Sequence, residues 1–248
     1  MHLQLFRADP AGNITLFVLS PVEAAARAET AKKLMALTDA EQVAFVLSAP
    51  EGVDGAIEMM GGEFCGNAAR AYGAYLSTIL GKTSLSLRVG ALNVAVKVEG
   101  ESATAQMPLP CAVRKMEGGV LVDLGGIVHF VTEEAPSEDA FARIECDVLA
   151  ETGAEAYGVI FLDCAAGAIT PLVKVVSTDT LVWEGSCGSG TLAAAVAESF
   201  GTQNGTFSRE YVQRAGVISA RVSYLGGAIE RAYIGGKVAF DAPTELEI

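Results

Sequence analysis

The sequence predicts an α+β protein of two pseudo-symmetric domains, each a curved, mostly antiparallel sheet or barrel wrapped around one central helix. Three observations predict it. Short β-branched runs broken by Gly and Pro recur along all 248 residues, the pattern of successive strands joined by turns. Two alanine-rich segments are apolar around most of their circumference, which suits helices enclosed by a sheet rather than resting on its surface. Each of these segments follows a cysteine and ends before a glycine, and the two cysteines, Cys65 and Cys187, stand about half the chain's length apart.

Taken in order, Ile14–Leu19 opens the strand pattern. Val22–Leu37 is expected to be helical, because Ser20-Pro21 offers an N-cap and a proline in the first turn. Val43–Leu47 is the next strand. Gly66–Leu80 (GNAARAYGAYLSTIL) is the first central helix, with Gly81 placed to close its last turn in a left-handed conformation. Ser84–Val89, Leu92–Val98 and Val120–Leu124 read as strands. Ser137–Thr152 reads as a helix whose Ser-Glu-Asp start sets acidic groups at the positive helix end. Val159–Leu162 and Leu172–Val176 are strands, and Gly188–Phe200 (GSGTLAAAVAESF), followed by Gly201, is the second central helix. Val217–Tyr224 and Ala232–Ile234 complete the strand pattern. Lys115, Glu117, Gly118 and Gly119 interrupt that pattern, which puts a domain boundary near Arg114–Gly119. Residues 1–116 then carry Cys65, residues 117–237 carry Cys187, and a last strand near 238–248 is expected to return to the first half.

Composition narrows the function classes. With 51% hydrophobic residues the chain has ample material for a buried core. Its net charge of −13 repels phosphate backbones and anionic lipid, so neither nucleic acid nor a membrane surface is an expected partner. No apolar run reaches the roughly 18 residues of a spanning helix. The start, MHLQLFRADPAGN, lacks a basic stretch leading into an apolar core, so no signal peptide is read and a cytoplasmic location is expected. The five cysteines are an odd number and form no CxxC pair, which weakens both zinc ligation and a disulfide framework. No metal is expected, and a homodimer is left open. Cys111, Cys146 and Cys164 lack flanking glycines and read as ordinary packing thiols.

Cys65-Gly66-Asn67 and Cys187-Gly188-Ser189 carry the chemistry. A free thiol has a pKa of about 8.5, and a helix start favours its thiolate. The first-turn N–H groups there also make an anion site fit for a carboxylate. Glycine after the cysteine lets ligand and backbone come close. Two such sites facing one another in a cleft could hold one amino-acid carboxylate, with its α-carbon between the sulfurs. One thiolate would remove the α-proton and the opposite thiol would return one to the other face. Configuration inverts without any cofactor. A hydrolase would need a base beside its nucleophile, and the only histidines, His2 and His129, lie in no nucleophile motif. GSCGSGT lacks the Lys-Ser/Thr of a phosphate loop.

These residues resemble the diaminopimelate epimerase family of cofactor-independent racemases and epimerases, over nearly the whole chain. GGEFCGNAARAYGAYL is similar to that family's first catalytic segment and WEGSCGSGTLAAAV to its second. DPAGNIT resembles its Gly-Asn entry segment and EQVAFV its Asp-Gln-Val segment, so the resemblance nominates Asn13 and Gln42 for the substrate site. Asn67 separates the chain from the phenazine-biosynthesis-like isomerases, which usually carry His there or lack the thiol. The second motif also lacks the Asp that proline racemases place before their second cysteine.

The departures redirect the substrate. Diaminopimelate epimerases carry a Glu-Arg pair about nine residues before the second cysteine, where this chain has Ser177-Thr178-Asp179-Thr180. Their Gly-Asn-Pro-His becomes Gly126-Ile127-Val128-His129. A distal carboxylate would go unpaired, at a cost of about 1–3 kcal/mol. A nearer resemblance is to the histidine racemases of staphylopine-type opine metallophore synthesis, carried by Pro10–Thr15, Glu41–Val43, Glu63–Ala68 and Trp183–Thr191. It implies interconversion of L- and D-histidine, with Glu41 and Glu184 as candidates for the substrate amine or imidazole. His129 reads as a hydrogen-bonded packing residue and Trp183 as core or pocket wall. The alternatives are a diaminopimelate epimerase, a racemase of another amino acid, or a binding protein that kept the cradle without the reaction.

Overall fold

The computed structural model describes residues 1–176 and 179–248. The chain divides into two units, Met1–Gln106 with Gly235–Ile248, and Met107–Ile234. The first contains β1 (His2–Asp9), β2 (Thr15–Val18), α1 (Ala24–Leu37), β3 (Gln42–Leu47), β4 (Gly55–Met59), α2 (Gly66–Leu80), β5 (Ser84–Val89), β6 (Leu92–Glu99) and β7 (Ser102–Gln106). The second contains β8 (Ala112–Met116), β9 (Gly119–Asp123), β10 (Val128–Thr132), α3 (Glu138–Ile144), β11 (Ala156–Asp163), β12 (Ala168–Val175), β13 (Thr180–Trp183), α4 (Gly188–Glu198), β14 (Gly205–Gln213) and β15 (Gly216–Leu225). β16 (Ala228–Lys237) leads the chain back to the first unit, where β17 (Ala239–Phe240) and β18 (Thr244–Glu247) pair with β1.

Both units use one plan. A parallel pair needs a crossover rather than a tight turn, and in each unit the helices supply it. In the first, β2 and β3 run parallel across α1, and β4 and β5 run parallel across α2. In the second, β10 and β11 run parallel across α3, and β12 meets β14 in parallel at Ala168↔Val212, across α4. Other neighbours, β5 with β6 and β14 with β15 among them, pair antiparallel. The repeated chain plan inferred from the two cysteine-led helices is therefore present in the strand order.

α2 is enclosed. Its buried residues run from Gly66 to Ala74 without a break, against Leu87, Val89, Val94, Val96 and Ala105 of the surrounding strands. Burying each such aliphatic side chain is worth about 1.5–3 kcal/mol. Small residues set the packing distance: a Cβ on Gly73 would lie 2.5 Å from Val96 Cγ1. In the second unit α4 buries Leu192 through Val196 in the same way.

Several expected boundaries move, each for a local reason. α1 begins at Ala24 with Glu23 at its cap, because the Ser20 hydroxyl instead accepts the backbone N–H of Gln4 at 2.8 Å. α3 stops at Ile144. A π turn (Glu145–Leu149) and a 3-10 turn (Ala150–Thr152) follow, and Glu145 is drawn there into bonds from Tyr157 and Lys174. Gly81 closes α2 with φ 66° as expected. α4 ends at Glu198, earlier than Phe200, because Ser199 caps the last turn through its own N–H and hydroxyl on Ala195 O. The break read at Arg114–Gly119 is the β8–β9 hairpin, with Met116 opposite Gly119 and Gly118 at φ 76°. β8 thus belongs to the second unit, and the division falls near residue 106. All five cysteines are free thiols; Cys111 and Cys146 are exposed and so are not the packing residues expected. No described helix is long and apolar enough to cross a membrane.

Candidate active site

In the first unit the expected residues converge on Cys65. It is the N-cap of α2, with extended backbone (φ −128°, ψ 113°), and its sulfur accepts the N–H of Ala68 at 3.4 Å. Gln42, at the start of β3, lays its amide beside that sulfur, with Nε2 at 3.5 Å and Oε1 at 3.6 Å. It can thus meet the thiolate with a donor and the thiol with an acceptor. Gln42 Nε2 also reaches Asn13 Oδ1 at 2.7 Å and Thr15 Oγ1 at 2.8 Å. Asn13 in turn donates to Glu41 at 3.0 Å and accepts from Asn67 Nδ2 at 3.3 Å. The turn carrying Asn13 passes through Ala11 and Gly12 at positive φ and is held by Gly12 N–H on Asp9. Asn13, Glu41, Gln42 and Asn67 are therefore one polar cluster around the first thiol, and Gly66 follows that thiol as the first residue of α2.

The second unit builds a different shell around Cys187, the buried N-cap of α4. Gly190 N–H donates to its sulfur at 3.2 Å, and the Ser189 hydroxyl lies 3.4 Å away. Gly190 leaves room for this: a Cβ there would sit 3.1 Å from the sulfur and 2.7 Å from Ile160 Cδ1. Gln213 fixes the cap from β14, accepting Cys187 N–H at 2.7 Å and donating to Thr191 Oγ1 at 2.8 Å. Thr191 closes the loop on Cys187 O at 2.6 Å. His129 Nε2 is 2.9 Å from Ser189 Oγ. That ring is fully buried, and burial brings its pKa down to about 4, so it is a neutral imidazole. His129 is the packing histidine expected, and it is also joined to the second sulfur through Ser189.

The helix starts do not by themselves lower the thiol pKa values, contrary to the expectation from sequence. Burial pushes Cys65 up and Glu63 adds to this, against the Ala68 N–H and the Gln42 amide. Burial pushes Cys187 well above the ordinary range, and Glu184, hydrogen-bonded to the thiol, pushes it further, against Ser189 and Gly190. Desolvation of the charged form outweighs the few hydrogen bonds that each sulfur receives. Glu184 also lines a cavity of about 140 Å³ with Pro171, Trp183 and Arg214. Trp183 is both wall and core, its ring 6.0 Å from Phe161. A larger cavity, about 300 Å³, lies at the other end of α4, by Ala197 and Glu198. Ser177 and Thr178, where a distal-binding pair was sought, lie outside the described residues; Thr180 opens β13.

Sequence reasoning missed Thr15, Gln213 and Arg70. Arg70 is a fully buried guanidinium on α2 that donates to Asn67 Oδ1 at 2.9 Å and Pro10 O at 3.2 Å. Its signal was legible: a lone arginine in an otherwise apolar helix.

A family model described as the N-terminal domain of the histidine racemase CntK matches residues 2–245. The chain is 26% identical to a histidine racemase of Staphylococcus aureus strain Mu50, over 80% of each chain. It is 29% identical to a histidine racemase of Fusobacterium nucleatum, over 77% of this chain and 78% of the relative. A diaminopimelate epimerase of Methanopyrus kandleri is 30% identical over 64% of this chain and 59% of its own length. Among solved structures, a predicted epimerase from Pseudomonas aeruginosa superposes with a TM-score of 0.67 at 17% identity, over 98% of this chain and 99% of that one. A hydroxyproline epimerase from Agrobacterium vitis gives 0.62 at 13% identity, over 99% and 92%. At those identities the structural likeness speaks to the fold.

Proposed function

The chain belongs to the histidine racemase family, and from that membership we propose that it interconverts L- and D-histidine by passing the α-proton between Cys65 and Cys187. The observation that carries this reading is the doubled cap: each unit places a cysteine sulfur under the first-turn N–H groups of an enclosed helix, within its own polar shell. Binding alone needs neither sulfur.

In this reading one thiolate takes the α-proton and the other thiol delivers a proton to the opposite face, and no cofactor enters. Backbone N–H groups of Gly66, Asn67, Gly188 and Ser189, unpaired within their helices, hold the substrate carboxylate. Gln42 and Asn13 orient the groups around Cys65. Glu184 and Glu41 take the ammonium or imidazole N–H groups. A substrate ammonium meeting Glu184 would draw that carboxylate's hydrogen bond away from Cys187 and relieve part of the penalty on its thiolate.

The test is incubation with each L-amino acid and with diaminopimelate in deuterated water, without pyridoxal phosphate, following α-proton exchange by NMR and optical rotation. Exchange and loss of rotation with L-histidine are expected. Exchange with diaminopimelate but not histidine would favour the epimerase instead, and exchange with nothing would leave a binding protein.

A further inference from the structure

Arg70 is expensive where it sits. Its side chain is fully buried, and among the described residues it makes no ion pair and its Nε and Nη1 have no hydrogen-bond partner. Only Nη2 is engaged, by Asn67 and Pro10. A buried charge left uncompensated costs several kcal/mol, so a cation here needs an anion that is not always present.

One group nearby gains a negative charge during the proposed reaction, and that group is Cys65. Arg70 stands little more than one turn along α2 from it. The two are also joined by hydrogen bonds: Arg70 to Asn67, Asn67 to Asn13, Asn13 to Gln42, and Gln42 to the sulfur. We propose that Arg70 is the counter-charge of the Cys65 thiolate, a positioning residue that makes Cys65 the thiol that ionises first. Burial lowers the guanidinium to about 10, and the charge of Cys65 is what acts against that loss.

The second unit carries the opposite arrangement. The position five residues after Cys187 is Leu192, buried and apolar, and the charged group at that thiol is the Glu184 carboxylate. The charged groups near Cys65 are Arg70, Glu63 and, through Asn13, Glu41. A racemase needs one thiolate and one thiol before substrate arrives, and these unlike surroundings assign them. This inference rests on the two-thiol reading but is tested without turnover.

The experiment titrates each thiol separately, by the pH dependence of iodoacetamide alkylation read peptide by peptide by mass spectrometry, which keeps the free thiols Cys111, Cys146 and Cys164 apart from the pair. Cys65 is followed in Cys187→Ser protein and Cys187 in Cys65→Ser protein. Cys65 should ionise at the lower pH. Adding Arg70→Met should raise the Cys65 midpoint by about one unit or more, slowing its alkylation at neutral pH about tenfold. Arg70→Lys should restore most of that shift, and Cys187 should not respond. A Cys65 midpoint unmoved in folded Arg70→Met protein would overturn the proposal. Should that variant not fold, the order of the two thiols in the presence of Arg70 still decides: Cys187 ionising first would overturn it. Inactivity towards histidine with the expected titrations would instead sink only the racemase reading.

Discussion

Replacing either Cys65 or Cys187 with serine is expected to lower the rate of histidine racemisation by at least about 10²–10⁴-fold, the usual worth of a positioned acid or base. A serine hydroxyl is far too weak an acid to supply the anion, so the loss should fall on kcat. Stability should hardly move. Serine is a strong N-cap, and its oxygen can accept the same Ala68 or Gly190 N–H that the sulfur accepts now. Optical rotation measures the activity and urea unfolding the stability. A serine variant that turned over normally would remove that thiol from the mechanism.

The second large effect is on pH dependence. The proposed reaction needs one thiol charged and the other protonated, so on that reading kcat/KM should be bell-shaped. Burial raises both pKa values, Cys187's further than Cys65's, which moves the bell to the alkaline side of the ordinary thiol value of about 8.5. On its acid limb the rate should fall about tenfold per pH unit, because neither sulfur is ionised; on its alkaline limb both are. Stability has its own sign. A thiol whose folded pKa is raised keeps its full contribution below the unfolded value, and loses it as pH climbs through the folded one. Unfolding free energy should therefore decline above about pH 8.5, even as the rate rises. A rate maximum at or below neutral pH would contradict the burial of these thiols.

The cysteine-led helices were the most legible part of the sequence, because an apolar circumference bounded by Cys-Gly and Gly is a local pattern. α2 matches its expected limits residue for residue. Strands whose character comes from their neighbours were not legible. β14 contains Ser208, Arg209 and Glu210, a polar run that becomes a strand because β15 pairs along its whole length and Arg209 meets Glu198. β7 (SATAQ) offers small residues, suited to packing against α2 but weak as a strand signal. β1 alternates Leu3 and Leu5 with His2 and Gln4, a pattern that was present and passed over. In the site, resemblance found Asn13 and Gln42, but only the fold shows them bonded to each other and beside Cys65. The direction of the thiol shifts was misjudged because helix-start donors are visible in a sequence and desolvation is not.

The measurement that bears most directly on two thiols sharing one proton transfer is the label in the first turnovers of L-histidine in deuterated water. Two bases with different protons predict that the early D-histidine carries deuterium at Cα while the L-histidine still present keeps its protium. D-histidine formed with its original α-proton, or deuterium entering L-histidine as fast as it enters the product, would mean a single base and would contradict the account.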